Sequence, residues 1–104
     1  MDKRTTKIVK SFVKTIKKEI PLSKIIFFGS GVKGTAGKNS DYDFIIISKD
    51  FKNSNFEERS AKVYFLKRKI PVPMDILCYT PEEFEKLRKK IGIVQEAVKE
   101  GIEV

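Results

Sequence analysis

The chain contains no histidine. Ser-His-Asp and Cys-His nucleophilic sites, whose general base is an imidazole, are therefore excluded. A single cysteine, Cys78, leaves no partner for a disulfide within the chain. With no histidine beside it, structural zinc is excluded as well. Cys78 is expected to be a small buried strand residue, in keeping with a cytoplasmic location. No run of about 18 apolar residues occurs, so no segment is expected to span a membrane. The basic, amphipathic N-terminus lacks the apolar core and cleavage site of a secretory leader. Repeats, linkers and low-complexity tracts are absent, and amides are few. Catalysis, if any, falls to carboxylates, lysines, hydroxyls or a hard metal.

Charge is what the chain has in abundance. Its 104 residues carry 22 Lys and Arg against 14 Asp and Glu, a net charge of +8. The length suits one domain, residues 1–104, with a single core. The positive balance favours an anionic partner, yet the lysines are spread along the chain rather than blocked together. Many Lys, Glu and Ile residues with few amides also suit a thermophile's surface.

Periodicity supplies the elements. Ile8, Val9, Phe12, Val13, Ile16 and Ile20 recur at the spacing of one apolar helix face, predicting a helix over about Thr5 to Ile20. Asp2, Thr5 and Thr6 are its candidate caps, and Pro21 ends it. Lys24 to Phe28 is a short buried strand by length and composition. One or two helical turns over Ser30 to Ala36 precede a second strand from Asp41 or Tyr42 to Ser48. Lys49 to Asn53 is a polar connection. Ser54-Asn55-Phe56-Glu57 has capping-box spacing and opens a helix to about Lys69, with Phe56, Val63, Tyr64 and Leu66 as its apolar positions. Val72 to Tyr79 is a third strand, which Pro71 and Pro73 confine to an edge or a sheet entrance. Thr80-Pro81-Glu82-Glu83 starts a last helix. Its stripe is Phe84, Leu87, Ile91, Val94 and Val98, with Gly92 as a kink or division and a short extended tail after Gly101.

The order αβ(α)βαβα describes an α/β (α+β) fold, a small sheet with helices packed on it. Phe28 and Asp41 are too close in sequence for a full parallel crossover. If the first two strands pair antiparallel instead, Gly29 and Ser30 come to lie beside Asp41 and Asp43.

That neighbourhood is the candidate site. Asp41 and Asp43 alternate with Tyr42 at the head of an apolar strand, so both are expected on one face. Carboxylates converging beside backbone amides freed by glycines suit a divalent cation and a phosphate chain. The competing role for the pair is turn and strand-entry chemistry after Asn39-Ser40. Asp75 lies in Val72-Pro73-Met74-Asp75-Ile76-Leu77-Cys78 and is expected in the middle of an apolar strand, where an unpaired buried carboxylate neutralises or finds a cation. Its alternatives are an ion pair with Lys or Arg, or an edge position facing water.

Two phosphate motifs compete. Gly29-Ser30-Gly31-Val32-Lys33-Gly34 matches the dinucleotide fingerprint G-x-G-x-x-G. That fold needs a full helix before its second strand and an acid at that strand's end, whereas here the acids open the strand. A Walker P-loop fails, because Lys38 is followed by Asn39 and Val32 stands where the first glycine belongs.

Gly29-Ser30, ten intervening residues, Asp41-Tyr42-Asp43 and the later Asp75 together resemble the minimal nucleotidyltransferases of the DNA polymerase β-like superfamily. The resemblance runs from the leading helix to Glu100-Gly101-Ile102. It implies a polymerase β palm-like fold with a mixed sheet. It further implies two Mg²⁺ ions held by Asp41, Asp43 and Asp75, with Asp75 serving the acceptor hydroxyl. Gly29, Ser30, Lys33 and Gly34 would bind the nucleotide, with ATP as the expected substrate and AMP the group transferred. The chain departs from the family at Gly31 and Lys33, where relatives often carry arginines; a lysine supplies charge without a bidentate fork. Larger relatives hold their acceptor with extra helical domains, so the acceptor is expected on a second copy or on a partner protein. The resemblance names a helical HEPN-type toxin, with this chain as the antitoxin that adenylylates it. The other readings left by the sequence are a catalytically weak or inactive nucleotide-binding partner subunit and a basic nucleic-acid-binding module.

Overall fold

The computed structural model describes residues 1–33, with Lys33 as backbone only, and 41–104. Helix α1 (Lys3–Glu19) leads into strand β1 (Lys24–Phe28), the single turn α2 (Ser30–Lys33) and strand β2 (Tyr42–Ile47). A 3₁₀ turn (Lys49–Phe51) and helix α3 (Phe56–Leu66) cross over to β3 (Met74–Tyr79). Helices α4 (Pro81–Leu87) and α5 (Ile93–Glu100) and the two-residue strand β4 (Ile102–Glu103) complete the chain. The four strands form one mixed sheet in the order β3-β2-β1-β4. β2 is antiparallel to β1 and parallel to β3, while β4 is antiparallel to β1. The expected order, the antiparallel first pair and the edge position of the proline-led strand are all found.

Local chemistry explains most boundaries. Asp2 is the cap of α1, its Oδ1 accepting from the Thr5 amide at 2.7 Å. Ile20 closes that helix before Pro21. Thr80 and Glu83 form the expected reciprocal capping box with Pro81 in the first turn. On α3 the box sits one residue later than the spacing suggested, as Asn55 with Glu58. Gly92 divides the C-terminal helix into α4 and α5.

β2 is covered on both sides, and its alternation sorts two clusters. Tyr42, Phe44 and Ile46 face α1 and α3 with Phe12, Ile16, Phe27 and Val63. The Phe12 and Phe44 rings pack at a tilt of 30° with centroids 4.3 Å apart. Ile45 and Ile47 face the other way, packed with Val94 and Ala97 of α5 and with Phe84 and Leu87 of α4.

Several expectations need correction. The segment Lys49 to Asn53 is not purely polar: Phe51 is buried in the core. The inward face of α3 is made by Arg59 and Val63, while Phe56 and Tyr64 are exposed. α3 stops at Leu66, short of Lys69. Because the C-terminal helix is broken, Ile91 and Val98 leave the expected stripe and are exposed, and Ala97 is buried instead. The turns expected over Ser30 to Ala36 are described only as far as Lys33.

Candidate active site

The site begins with the burial of one tyrosine. Tyr42 inserts into the α1–α3 core and stacks on Phe27, centroids 6.0 Å apart. In a strand this turns the flanking positions to the opposite face. Asp43 therefore leaves the sheet on the α4–α5 side, half-buried, and Asp41, just before β2, is exposed.

Register brings in the other partners. Asp43 is the parallel-ladder partner of Asp75 on β3, so the two side chains share a face on strands about 4.8 Å apart. Its partner on the antiparallel side is Phe28, the last residue of β1. The next residue, Gly29, has φ +87°, a left-handed value that side chains resist. A β-carbon at Gly29 would also run into the Asp43 carboxylate. Two independent constraints thus hold glycine where the chain turns from β1 into Ser30 and α2. The Tyr42 amide donates to the Pro73 carbonyl at 3.0 Å, tying the Asp41–Asp43 segment to the entrance of β3.

Burial raises the pKa of Asp43 above the ordinary carboxylate value, and the charges of Asp75 and then Asp41 raise it further. No ion pair between described residues involves any of the three. Among the described residues no three acidic or cysteine side chains are already gathered around a point that holds a metal. Mutual repulsion opposes such gathering, and a cation offsets it. The donors are carboxylate oxygens alone, a set that suits a hard divalent ion such as Mg²⁺ or Mn²⁺.

Asp75 is not the buried mid-strand carboxylate that its apolar neighbours suggested. It is the second residue of β3, an edge strand, and is exposed. Its standing in the site comes from its register with Asp43, not from the cost of burial. Ser30 opens α2 directly after Gly29. Lys33 ends α2, its side chain undescribed, and Gly34 lies outside the described residues. At Gly31 a β-carbon would strike the ring of Phe27, which is fully buried, so an arginine here would displace the core.

Two residues near β3 escaped the sequence reading. Arg59 is buried on α3, and its guanidinium donates to the carbonyls of Phe51, Ser54 and Cys78 and to Glu83. The helical spacing of Arg59 and Val63 was the available signal, since positions four apart share a face. Tyr64 places its hydroxyl on the outer edge of β3. A separate cleft of about 330 Å³ between α3 and α4 is lined by Phe56, Arg59, Tyr79, Glu83, Lys86, Leu87 and Lys90, and contains none of the three aspartates.

A mixed sheet that sets two carboxylates in register beside a glycine-serine turn is an arrangement suited to a divalent cation and a phosphate chain. The chain belongs to the nucleotidyltransferase domain family, whose model matches residues 7–100. Such domains in general use a nucleoside triphosphate and a divalent metal. Among solved structures, a "putative nucleotidyltransferase" from Sulfolobus solfataricus is 26% identical, with TM-score 0.61, covering 80% of this chain and 73% of its own. A second protein of the same description shares 23% identity with TM-score 0.56, over 78% of this chain and 87% of that one, and supports the fold. No curated protein matches the sequence. Among the described residues no helix is long and apolar enough to cross a membrane.

Proposed function

We propose that the chain transfers AMP from ATP to an acceptor hydroxyl and releases pyrophosphate. The observation that carries this is the registered pair Asp43 and Asp75, with Gly29 packed against the Asp43 carboxylate. Asp41, Asp43 and Asp75 are the proposed ligands of two Mg²⁺ ions. When bound, the metal neutralises triphosphate charge and makes the acceptor hydroxyl more acidic.

The chain's own groups hold and orient. The Gly29 amide and Ser30 hydroxyl receive the β- and γ-phosphates, and Lys33 and Gly34 are the further nucleotide-binding residues of the proposal. The acceptor oxygen forms a bond to the α-phosphorus as the bond from that phosphorus to the β-phosphate bridging oxygen breaks. Asp75, the exposed member of the pair, takes the hydroxyl proton. Positioning and charge complementarity supply the rate, as suits a site without a histidine base. The acceptor proposed is a hydroxyl on a helical partner protein of HEPN type, a role supported by the resemblance to minimal nucleotidyltransferases.

Incubation of the purified chain with α-labelled ATP, Mg²⁺ and an extract of its own cells tests this. A labelled protein band is expected, lost with Asp43→Asn. Label that survives Asp43→Asn, or no label on any acceptor, would overturn the proposal.

A further inference from the structure

Asp75 stands on an edge strand of the sheet. β3 is an edge, and the residues leading into it include Pro71 and Pro73, which have no N–H to donate. On its inner side the ladder with β2 holds Asp75 opposite Asp43. Among the described residues no strand pairs on the outer side. There the Tyr64 hydroxyl donates to the Met74 carbonyl at 2.8 Å and accepts from the Ile76 amide at 3.3 Å. One hydroxyl thus joins the two residues that flank Asp75, filling the place of a missing neighbouring strand.

The support behind that hydroxyl is firm. Tyr64 follows Val63, which is fully buried, and lies on the helix that Arg59 anchors to the carbonyls of Phe51, Ser54 and Cys78. Arg59 closes the same strand edge further along, at Cys78. Tyr64 acts where the carboxylate is.

We infer that Tyr64 is a positioning residue for Asp75: its hydroxyl fixes the backbone on either side of that aspartate and so sets where the carboxylate meets Asp43 and a shared divalent cation. The inference rests on the metal-binding role proposed for Asp75. Tyr64→Phe keeps the ring and removes only the hydroxyl. The freed Met74 and Ile76 groups lie at the strand's outer edge, and Tyr64 is 39% exposed, so water replaces the lost partner and the fold survives.

The test compares Mn²⁺ affinity and Ile76 amide hydrogen exchange in the intact chain and in Tyr64→Phe, Val63→Ala and Asp75→Asn. Val63→Ala loosens α3 without touching the hydroxyl. Tyr64→Phe is expected to weaken Mn²⁺ binding about tenfold, the usual cost of losing a group that orients a ligand, and to speed Ile76 exchange. Val63→Ala is expected to lower global stability while leaving Mn²⁺ affinity within about twofold, well under that orienting loss. Unchanged Mn²⁺ affinity or unchanged Ile76 exchange in Tyr64→Phe would overturn the inference. So would an equal loss of affinity in Val63→Ala, which would make the effect merely structural. Equal Mn²⁺ binding by the intact chain and Asp75→Asn would overturn the role of Asp75 itself, and the inference with it, while Ile76 exchange would still report whether the clamp exists.

Discussion

Replacing Gly29 with alanine isolates the contact that joins the phosphate turn to the carboxylates. At φ +87° an alanine pays a backbone cost of roughly 1–2 kcal/mol. Its methyl would also overlap the Asp43 carboxylate, and forcing such an overlap costs about 1–3 kcal/mol more. The two terms predict a loss of about 2–5 kcal/mol in urea unfolding. The steric part is separable. In an Asp43→Ala background the nearest remaining atom of residue 43 is Cβ, 3.5 Å from the new methyl, an ordinary contact. There Gly29→Ala should cost only the backbone term, giving a coupling of about 1–3 kcal/mol between the two sites. Equal costs in both backgrounds, or a cost below about 0.5 kcal/mol in the native chain, would refute the claim that Gly29 and Asp43 are packed together.

Three further outcomes follow from the same structure. Burial, Asp75 and Asp41 raise the pKa of Asp43 above 3.8, so as pH rises through that value the unfolded chain releases its proton first and stability is lost. Asp43→Asn should therefore raise Tm at neutral pH while abolishing transfer, and the gain should vanish once pH falls below about 3.8; a gain undiminished at lower pH would contradict this. Burial pushes the Cys78 thiol up to about 12, so an aromatic disulfide reagent should leave it unmodified in the folded chain at mildly alkaline pH and react on unfolding in urea. Arg59→Met removes the donor that serves three carbonyls and Glu83, and should destabilise the chain in urea unfolding by about 1–3 kcal/mol for each buried carbonyl left without a partner, with Arg59→Lys restoring less than half for want of a fork.

Where sequence reasoning succeeded, the signal was local or forced by chain length. The ten residues between Ser30 and Asp41 leave little room for a parallel crossover, and β1 and β2 indeed pair antiparallel. Thr80, Pro81 and Glu83 mark a helix start by side chain to backbone bonds that need no tertiary partner. Where it failed, tertiary context had the deciding part. Asp75 sits among apolar residues, which suggest burial; the edge position that the prolines allowed for its strand exposes it instead. Arg59 is charged yet buried, because the carbonyls of the Phe51–Ser54 turn and of Cys78 on β3 converge on it only after folding. By spacing Tyr64 is an apolar helix position, whereas its phenol reaches a strand edge ten residues further along. Ile91 matched a continuous stripe that Gly92 interrupts, and it ends 98% exposed. For the candidate site, spacing points to Gly29, Asp41 and Asp43 and the family resemblance adds Asp75, while the strand register is what sets Asp75 directly opposite Asp43.

Paramagnetic broadening of backbone amide resonances by Mn²⁺ in the presence of ATP tests the central claim most directly. The account predicts that the amides of Gly29, Tyr42, Asp43 and Asp75 broaden first, and that Asp43→Asn removes the effect. Broadening centred on the exposed glutamates of α4, or broadening indifferent to Asp43→Asn, would contradict it.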